Sequence, residues 1–269
     1  TPLYSSAASD VYKRQGYPWI GFGMYNGYDV NCYITQGNAK ATADMRYCKH
    51  TKLTAIAGVN PLNATTTPIP LTNTKIYALY TYRIGGGPGL VYGALWNGAW
   101  GAEETPTLLE LQGPFYYNGV ADGDDVILVF LERTSYDITL LKRTFGVGWG
   151  AAVDVQLATT STSAPVIAWQ ASATVKVFWA GSPTADHIFY KTITDTTPDV
   201  NPTDWIDEAI DQLTANSRLT CFYQTYGNNI GLAYMTVPSP GPYNVRYAFL
   251  SLAVAVTRIT GDGLTWTVG

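Results

Sequence analysis

Ile76-Tyr77-Ala78-Leu79-Tyr80, Val126-Ile127-Leu128-Val129-Phe130, Val175-Lys176-Val177-Phe178-Trp179 and Leu219-Thr220-Cys221-Phe222-Tyr223 are four apolar runs that each close on an aromatic ring, and Val30-Asn31-Cys32-Tyr33 is a weaker fifth. Tyr33, Tyr80, Phe130, Trp179 and Tyr223 stand 47, 50, 49 and 44 residues apart. Aromatic residues make up 13% of the chain, so rings recurring at this interval mark a repeated unit. A second column, Tyr47, Tyr92, Leu141, Tyr190 and Tyr234, follows the first by 11 to 14 residues. That is the length of two short strands joined by a hairpin turn. Turn-forming stretches lie between the columns: Gln36-Gly37-Asn38, Gly85 to Gly89, Arg133 to Asp137, Gly181 to Asp186 and Gly227-Asn228-Asn229.

A further apolar segment precedes several of the runs, as in Phe115-Tyr116-Tyr117 and Pro165 to Trp169, and a tryptophan follows the second column at Trp100, Trp149 and Trp205. Each unit therefore holds three or four antiparallel strands. A sheet this small is unable to bury both of its faces alone, and stacking it on the next one solves the problem, which is the logic of a β-propeller. The expected fold is all-β: a single propeller domain over 17–269, with four-stranded antiparallel blades. Its repeats fall at about 17–57, 58–106, 107–157, 158–212 and 213–269, with 1–16 outside it. A β-sandwich shares the short strands and frequent turns but does not call for rings in register at a fixed period. Over Pro202 to Asp211 two readings compete, a short helix capped by Thr203 or Asp204 and a fourth strand beginning at Trp205.

Composition narrows the partners. A net charge of -4, with sixteen basic residues scattered along 269, lacks the concentrated positive surface that nucleic acid requires. No apolar run approaches the ~18 to 20 residues of a membrane-spanning helix. His50 and His187 are the only histidines, and Cys32, Cys48 and Cys221 have no metal-ligand spacing, so no metal site is expected. Cys32 and Cys48 fall on adjacent predicted strands, where a bridge and two free thiols are both open readings. Scarce lysine and the sequon Asn63-Ala64-Thr65 point to an extracellular or surface-associated protein. Ser5 to Gln15, SSAASDVYKRQ, resembles a translated sequencing adapter of the kind found at the ends of metagenomic reading frames.

Thr260-Gly261-Asp262-Gly263-Leu264-Thr265-Trp266 resembles the Asp-box of sialidase-like, or BNR-repeat, propellers, with Thr260 in place of the usual serine. In that motif the aspartate accepts from turn amides, the glycine takes a positive φ and the tryptophan packs between blades, so the box marks a fold and not a reaction. Tyr82-Arg83-Ile84-Gly85 is similar to the sialidase F/Y-R-I-P motif without its proline. The resemblance implies a carbohydrate-active or carbohydrate-binding propeller, but no nucleophile pair or acid/base residue follows from any motif here.

Arg83 and Arg133 each fall three residues after their column aromatic, which predicts equivalent places on one hairpin rim. Glu132, Asp137, Asp186 and Tyr226 are predicted on the same rim, a set able to bind hydroxyls or a carboxylate. No cofactor is expected. Gly85 to Gly89 lacks the G-K-[ST] of a phosphate loop, and Asp122-Gly123-Asp124-Asp125 lacks the twelve-residue calcium loop and its glutamate. The expected role is recognition of a glycan or another surface partner without catalysis. A sialidase-like glycoside hydrolase or other polysaccharide-active enzyme is one alternative, and a self-assembling structural subunit of a filament, surface layer or virion is another.

Overall fold

Val126, Leu128 and Phe130 lie on one side of their strand and Ile127, Val129 and Leu131 on the other, and all six are buried. A strand that is apolar on both faces needs a packed layer against each. The computed structural model of the protein meets that need. It describes residues 19–25, 30–36, 50–52, 65–72, 75–82, 89–113, 115–208, 213, 219–237 and 244–252. Five antiparallel sheets follow one another along the chain and stack face to face as a β-propeller.

The first sheet holds β1 (Trp19–Tyr25), β2 (Val30–Gln36) and β3 (His50–Lys52), and the second β4 (Thr65–Pro70), β5 (Ile76–Tyr82) and β6 (Leu90–Trp96). The third holds β7 (Tyr117–Asp122), β8 (Asp125–Leu131) and β9 (Ile138–Thr144), with β10 (Gly148–Trp149) and β11 (Val153–Gln156) both pairing on β9. The fourth repeats this plan with β12 (Val166–Ala171), β13 (Thr174–Ala180) and β14 (His187–Thr194), carrying β15 (Thr197–Pro198) and β16 (Thr203–Asp207) outside. The fifth is β17 (Leu219–Cys221), β18 (Asn229–Thr236) and β19 (Asn244–Ser251). Fourth-strand positions are thus filled by split strands in the third and fourth sheets. In the second, isolated bridges stand there instead, Glu104 to Gly93 and Trp100 to Trp96. Among the described residues there is no helix, and none long and apolar enough to cross a membrane.

The first strands β1, β4, β7, β12 and β17 neighbour one another in that order, which places them innermost. Their approach is close. A Cβ on Gly21 of β1 would stand 2.6 Å from the carbonyl oxygen of Thr66 on β4, so only glycine fits there. Between β12 and the fifth sheet, Trp169 N–H donates to Tyr223 O at 2.8 Å and Thr225 N–H to Trp169 O at 3.1 Å.

Tyr80, Phe130 and Trp179 all sit on second strands and all turn toward the preceding sheet, so these three members of the aromatic column occupy matching places. Tyr223 does not. It follows β17, a first strand, and the ring that fills the matching place in the fifth sheet is Tyr234 on β18. The second column is displaced in step: Tyr92, Leu141 and Tyr190 lie on third strands, and Tyr234 on a second strand. Trp100 and Trp149 also face the preceding sheet, whereas Trp205 on β16 faces the following one. Over 203–207 the strand reading holds and the helix reading fails, because Ile206 and Asp204 pair with Ile188 and Phe189 of β14. The Cys32 thiol is free and buried, donating to Thr81 O at 3.2 Å, with its pKa pushed up to about 12 by desolvation. Cys48 and the Asp-box-like 260–266 lie outside the described residues.

Candidate functional site

Four of the residues predicted for the hairpin rim are at one end of the sheets, and their polar groups face partners within the protein. Glu132 accepts from Ser135 Oγ at 2.8 Å and Thr139 Oγ1 at 2.7 Å. Asp137 accepts from Ala158 N–H at 2.6 Å, and Asp186, at φ 62°, accepts from Leu213 N–H at 2.9 Å. Arg133 is exposed and 3.5 Å from Glu110, a pairing worth little in water. Tyr226 is elsewhere: its hairpin joins first and second strands, so it sits at the opposite end from Arg133 and Asp186. Arg83 lies outside the described residues.

The densest polar cluster lies in the seam between the second and third sheets. Backbone bonds between Glu104 and Gly93, 2.7 and 2.9 Å, fix Glu104 beside β6. Its carboxylate meets Arg143, at the end of β9, in a bidentate pair with Nε and Nη2 both at 2.7 Å. Tyr77 Oη donates to Glu104 Oε2 at 3.0 Å and accepts from Trp149 Nε1 at 3.2 Å. The Tyr77 ring supports the guanidinium from 5.0 Å and is set edge-on to the Trp149 ring at 6.0 Å. Partial burial works against the charge on Glu104, but the Arg143 bonds outweigh it and hold the carboxyl below its ordinary value. The Glu104 bond likewise raises Arg143, and burial drives the Tyr77 phenol up.

One donor group in this cluster is unused. Arg143 is buried, yet its Nη1 has no hydrogen-bond partner in the protein, and the Glu104 side chain is 28% exposed. A guanidinium pre-oriented beside aromatic rings by a carboxylate that is itself partly exposed is chemistry suited to a polyhydroxylated ligand.

Related links recur along the ring. In the seam between the fourth and fifth sheets Glu208 accepts from Tyr234 Oη and lies 3.6 Å from Arg246 on β19, whose side chain is 42% exposed. Between the third and fourth, Lys191 on β14 donates to Val155 O on β11 at 2.8 Å. In each of these three seams an acceptor from the outer part of one sheet meets a cation on the third strand of the next. The cations lie at different heights along their strands. No sequence motif announces these pairs, because Glu104 and Arg143 come from different repeats, 39 residues apart.

At the axis, Ile69, Val120, Trp169, Tyr223 and Gln224 line a cavity of about 40 Å³. That is room for a water molecule or two and not for a sugar ring.

Solved structures share this architecture. The Aleuria aurantia lectin, in a mutant form complexed with Fucα1-6GlcNAc, is 10% identical with a TM-score of 0.50, over 90% of this chain and 82% of that one. A second structure of the same lectin, described as a six-bladed β-propeller with a novel fucose recognition mode, is likewise 10% identical at 0.50, over 90% and 81%. The Hadza microbial sialidase Hz136 is 9% identical at 0.54, over 88% of this chain but only 56% of its own length. No protein-family model matches the sequence, and no curated protein does. At such low identity the likeness is one of fold, and the fold is that of the β-propellers that include glycan-binding lectins and sialidases.

Proposed function

We propose that the protein is a non-catalytic β-propeller that recognises glycans in the clefts between its sheets and acts outside the cell or on its surface. One observation carries the proposal: a guanidinium faces a carboxylate of the adjacent sheet in two seams, held bidentately as Arg143 with Glu104 and placed 3.6 Å away as Arg246 with Glu208. Sugar hydroxyls accept from such a group while the ring lies on neighbouring aromatic faces. Ionisation favours binding over hydrolysis as the role of Glu104. A glycosidase acid works with a raised pKa, and Glu104 is held low. The Asn63-Ala64-Thr65 sequon supports the extracellular setting.

Glycan-array screening of the intact chain tests this. Binding of at least one glycan class is expected, weakened tenfold or more by Arg143→Ala and by the more exposed Arg246→Ala, and unchanged by Arg133→Ala. Full binding by both cleft variants would remove the clefts from consideration, and hydrolysis of a fluorogenic glycoside by the pure protein would replace recognition with catalysis.

A further inference from the structure

The second, third and fourth sheets bury both faces of their second strands, each time against the sheet before and the sheet after. The fifth differs. Ile230, Leu232, Tyr234, Ala248 and Leu250 pack on the fourth sheet. The other face carries Phe222, Val245, Tyr247 and Phe249, exposed at 43, 58, 74 and 64%, and among the described residues no buried apolar cluster forms on that side. A strand with water on one side alternates apolar with polar, whereas β19 is apolar to both sides, as a strand covered on both faces is. The rings are contiguous. Phe222 lies 6.4 Å from Phe249 and 5.2 Å from Tyr226, which is itself exposed, and a Cβ on Gly231 would stand 2.5 Å from the Phe222 ring. Such a patch marks an interaction surface.

Size, charge and shape select a second copy of the chain as the occupant. Four rings and a valine, each roughly half to three-quarters exposed, leave about 500 Å² of apolar surface in water. Two such faces pressed together remove about 1,000 Å², which reaches the size of a specific interface. Strand alternation puts Thr220, Gly231, Ala233 and Met235 on the same side, so the described face holds no carboxylate, ammonium or guanidinium. A charged partner finds nothing there to pair with, and two identical copies meet no like charge across it. The surface is also the broad side of three neighbouring strands, β17, β18 and β19. Elsewhere in this molecule such a side is buried by packing it on another sheet. A two-fold axis offers each copy the matching sheet face of the other and closes at two chains.

We infer that the protein pairs through the outer face of its fifth sheet, face to face about a two-fold axis, with the stripe of Val245, Tyr247 and Phe249 on each copy packed on the same face of the other. The inference is independent of the glycan reading. Sedimentation velocity of the full chain tests it. A dimer is expected at about 100 μM, since an interface of this size without charge pairs belongs to the micromolar class. Tyr247→Glu is expected to be monomeric at that concentration. Val147→Glu, which changes an exposed apolar residue of the third sheet, is expected to leave the dimer intact. Both side chains are exposed, so neither substitution enters the core, and circular dichroism checks that each variant is folded. A monomeric unaltered chain overturns the inference. So does a dimer that survives Tyr247→Glu, which assigns the contact to another surface, or one lost equally in Val147→Glu, which makes it unspecific. Assemblies that grow past two chains show an open head-to-tail contact and overturn it as well. Tyrosine nitration read by mass spectrometry gives a second measurement on the unaltered chain. In the dimer fraction Tyr247 is expected to react at least fivefold more slowly than in a free peptide of residues 244–251, and equal rates would place it outside the interface and overturn the inference.

Discussion

Asp122 and Asp124, separated by Gly123 at a single hairpin of the third sheet, reach in opposite directions and fasten the sheets on either side. Asp124 accepts from Thr72 N–H at 2.8 Å and pairs with Lys75, both at the β4–β5 turn. Asp122 accepts from Trp169 Nε1 at 2.9 Å and from Ala173 N–H at 2.8 Å, on the β12–β13 hairpin. Gly123, at φ 66°, allows the turn between them. Replacing either aspartate by alanine is expected to cost about 1–3 kcal/mol, since each loses bonds to a charged acceptor. Because the two act on different neighbours, urea denaturation of the double variant should give nearly the sum of the single losses. A strongly non-additive cycle would refute independent fastening.

Acid should loosen the same seams. For Asp124, as for Glu104, partial burial opposes the charge and is outweighed, here by Lys75 and Thr72, so both carboxyls are held below their ordinary values. A depressed carboxyl contributes stability that is fully present above the unfolded-state value and is lost as pH falls through the folded one. Stability is therefore expected to decline below about pH 4.5. Glu104→Gln should lower stability at neutral pH and flatten that acid decline, as measured by thermal melts at stepped pH. An unchanged acid limb in this variant would show that the Arg143 pair contributes nothing to it.

Gly93 is expected to be intolerant of any side chain. An added Cβ would fall 2.2 Å from Tyr77 Oη and 2.4 to 2.5 Å from ring carbons, so the ring that supports Arg143 would have to move. Gly93→Ala should cost about 1–3 kcal/mol through overpacking. It should also weaken glycan binding in the Arg143 cleft more than in the Arg246 cleft, which separate titrations of the Arg143→Ala and Arg246→Ala backgrounds resolve. Full stability in Gly93→Ala would contradict this packing.

The aromatic column divides by strand position. Phe130 and Trp179 are fully buried between sheets, and alanine at either should cost about 3–5 kcal/mol. Tyr223 is only half-buried at the axial end of β12, and Tyr223→Ala should cost about 1–2 kcal/mol. Equal losses at all three would mean that Tyr223 shares the buried inter-sheet role after all.

This contrast also explains what was legible before any coordinates. Second strands in the middle of the ring are sandwiched between two sheets, so they become continuous apolar runs, and Tyr80, Phe130 and Trp179 stand out at a near-constant interval. Leu219 to Tyr223 has the same texture for a different reason: it is a short inner strand that ends in rings at the axis and on the open face. Period alone does not separate the two, and the last sheet was offset by one strand. The rim residues were legible as polar loop positions but not as partners, because Glu132, Asp137 and Asp186 use their oxygens on nearby hydroxyls and backbone amides. The Glu104–Arg143 pair left no local trace, since stacking brings together residues from separate repeats.

The hydrogen bond from Trp149 Nε1 to Tyr77 Oη extends the Glu104–Arg143 pair to an indole. Any occupant of that cleft, or any proton taken up by Glu104, perturbs the electric field around the chromophore. Its ultraviolet emission is thus a built-in, label-free gauge of events at the carboxylate, and a Trp149→Phe variant supplies the blank to subtract.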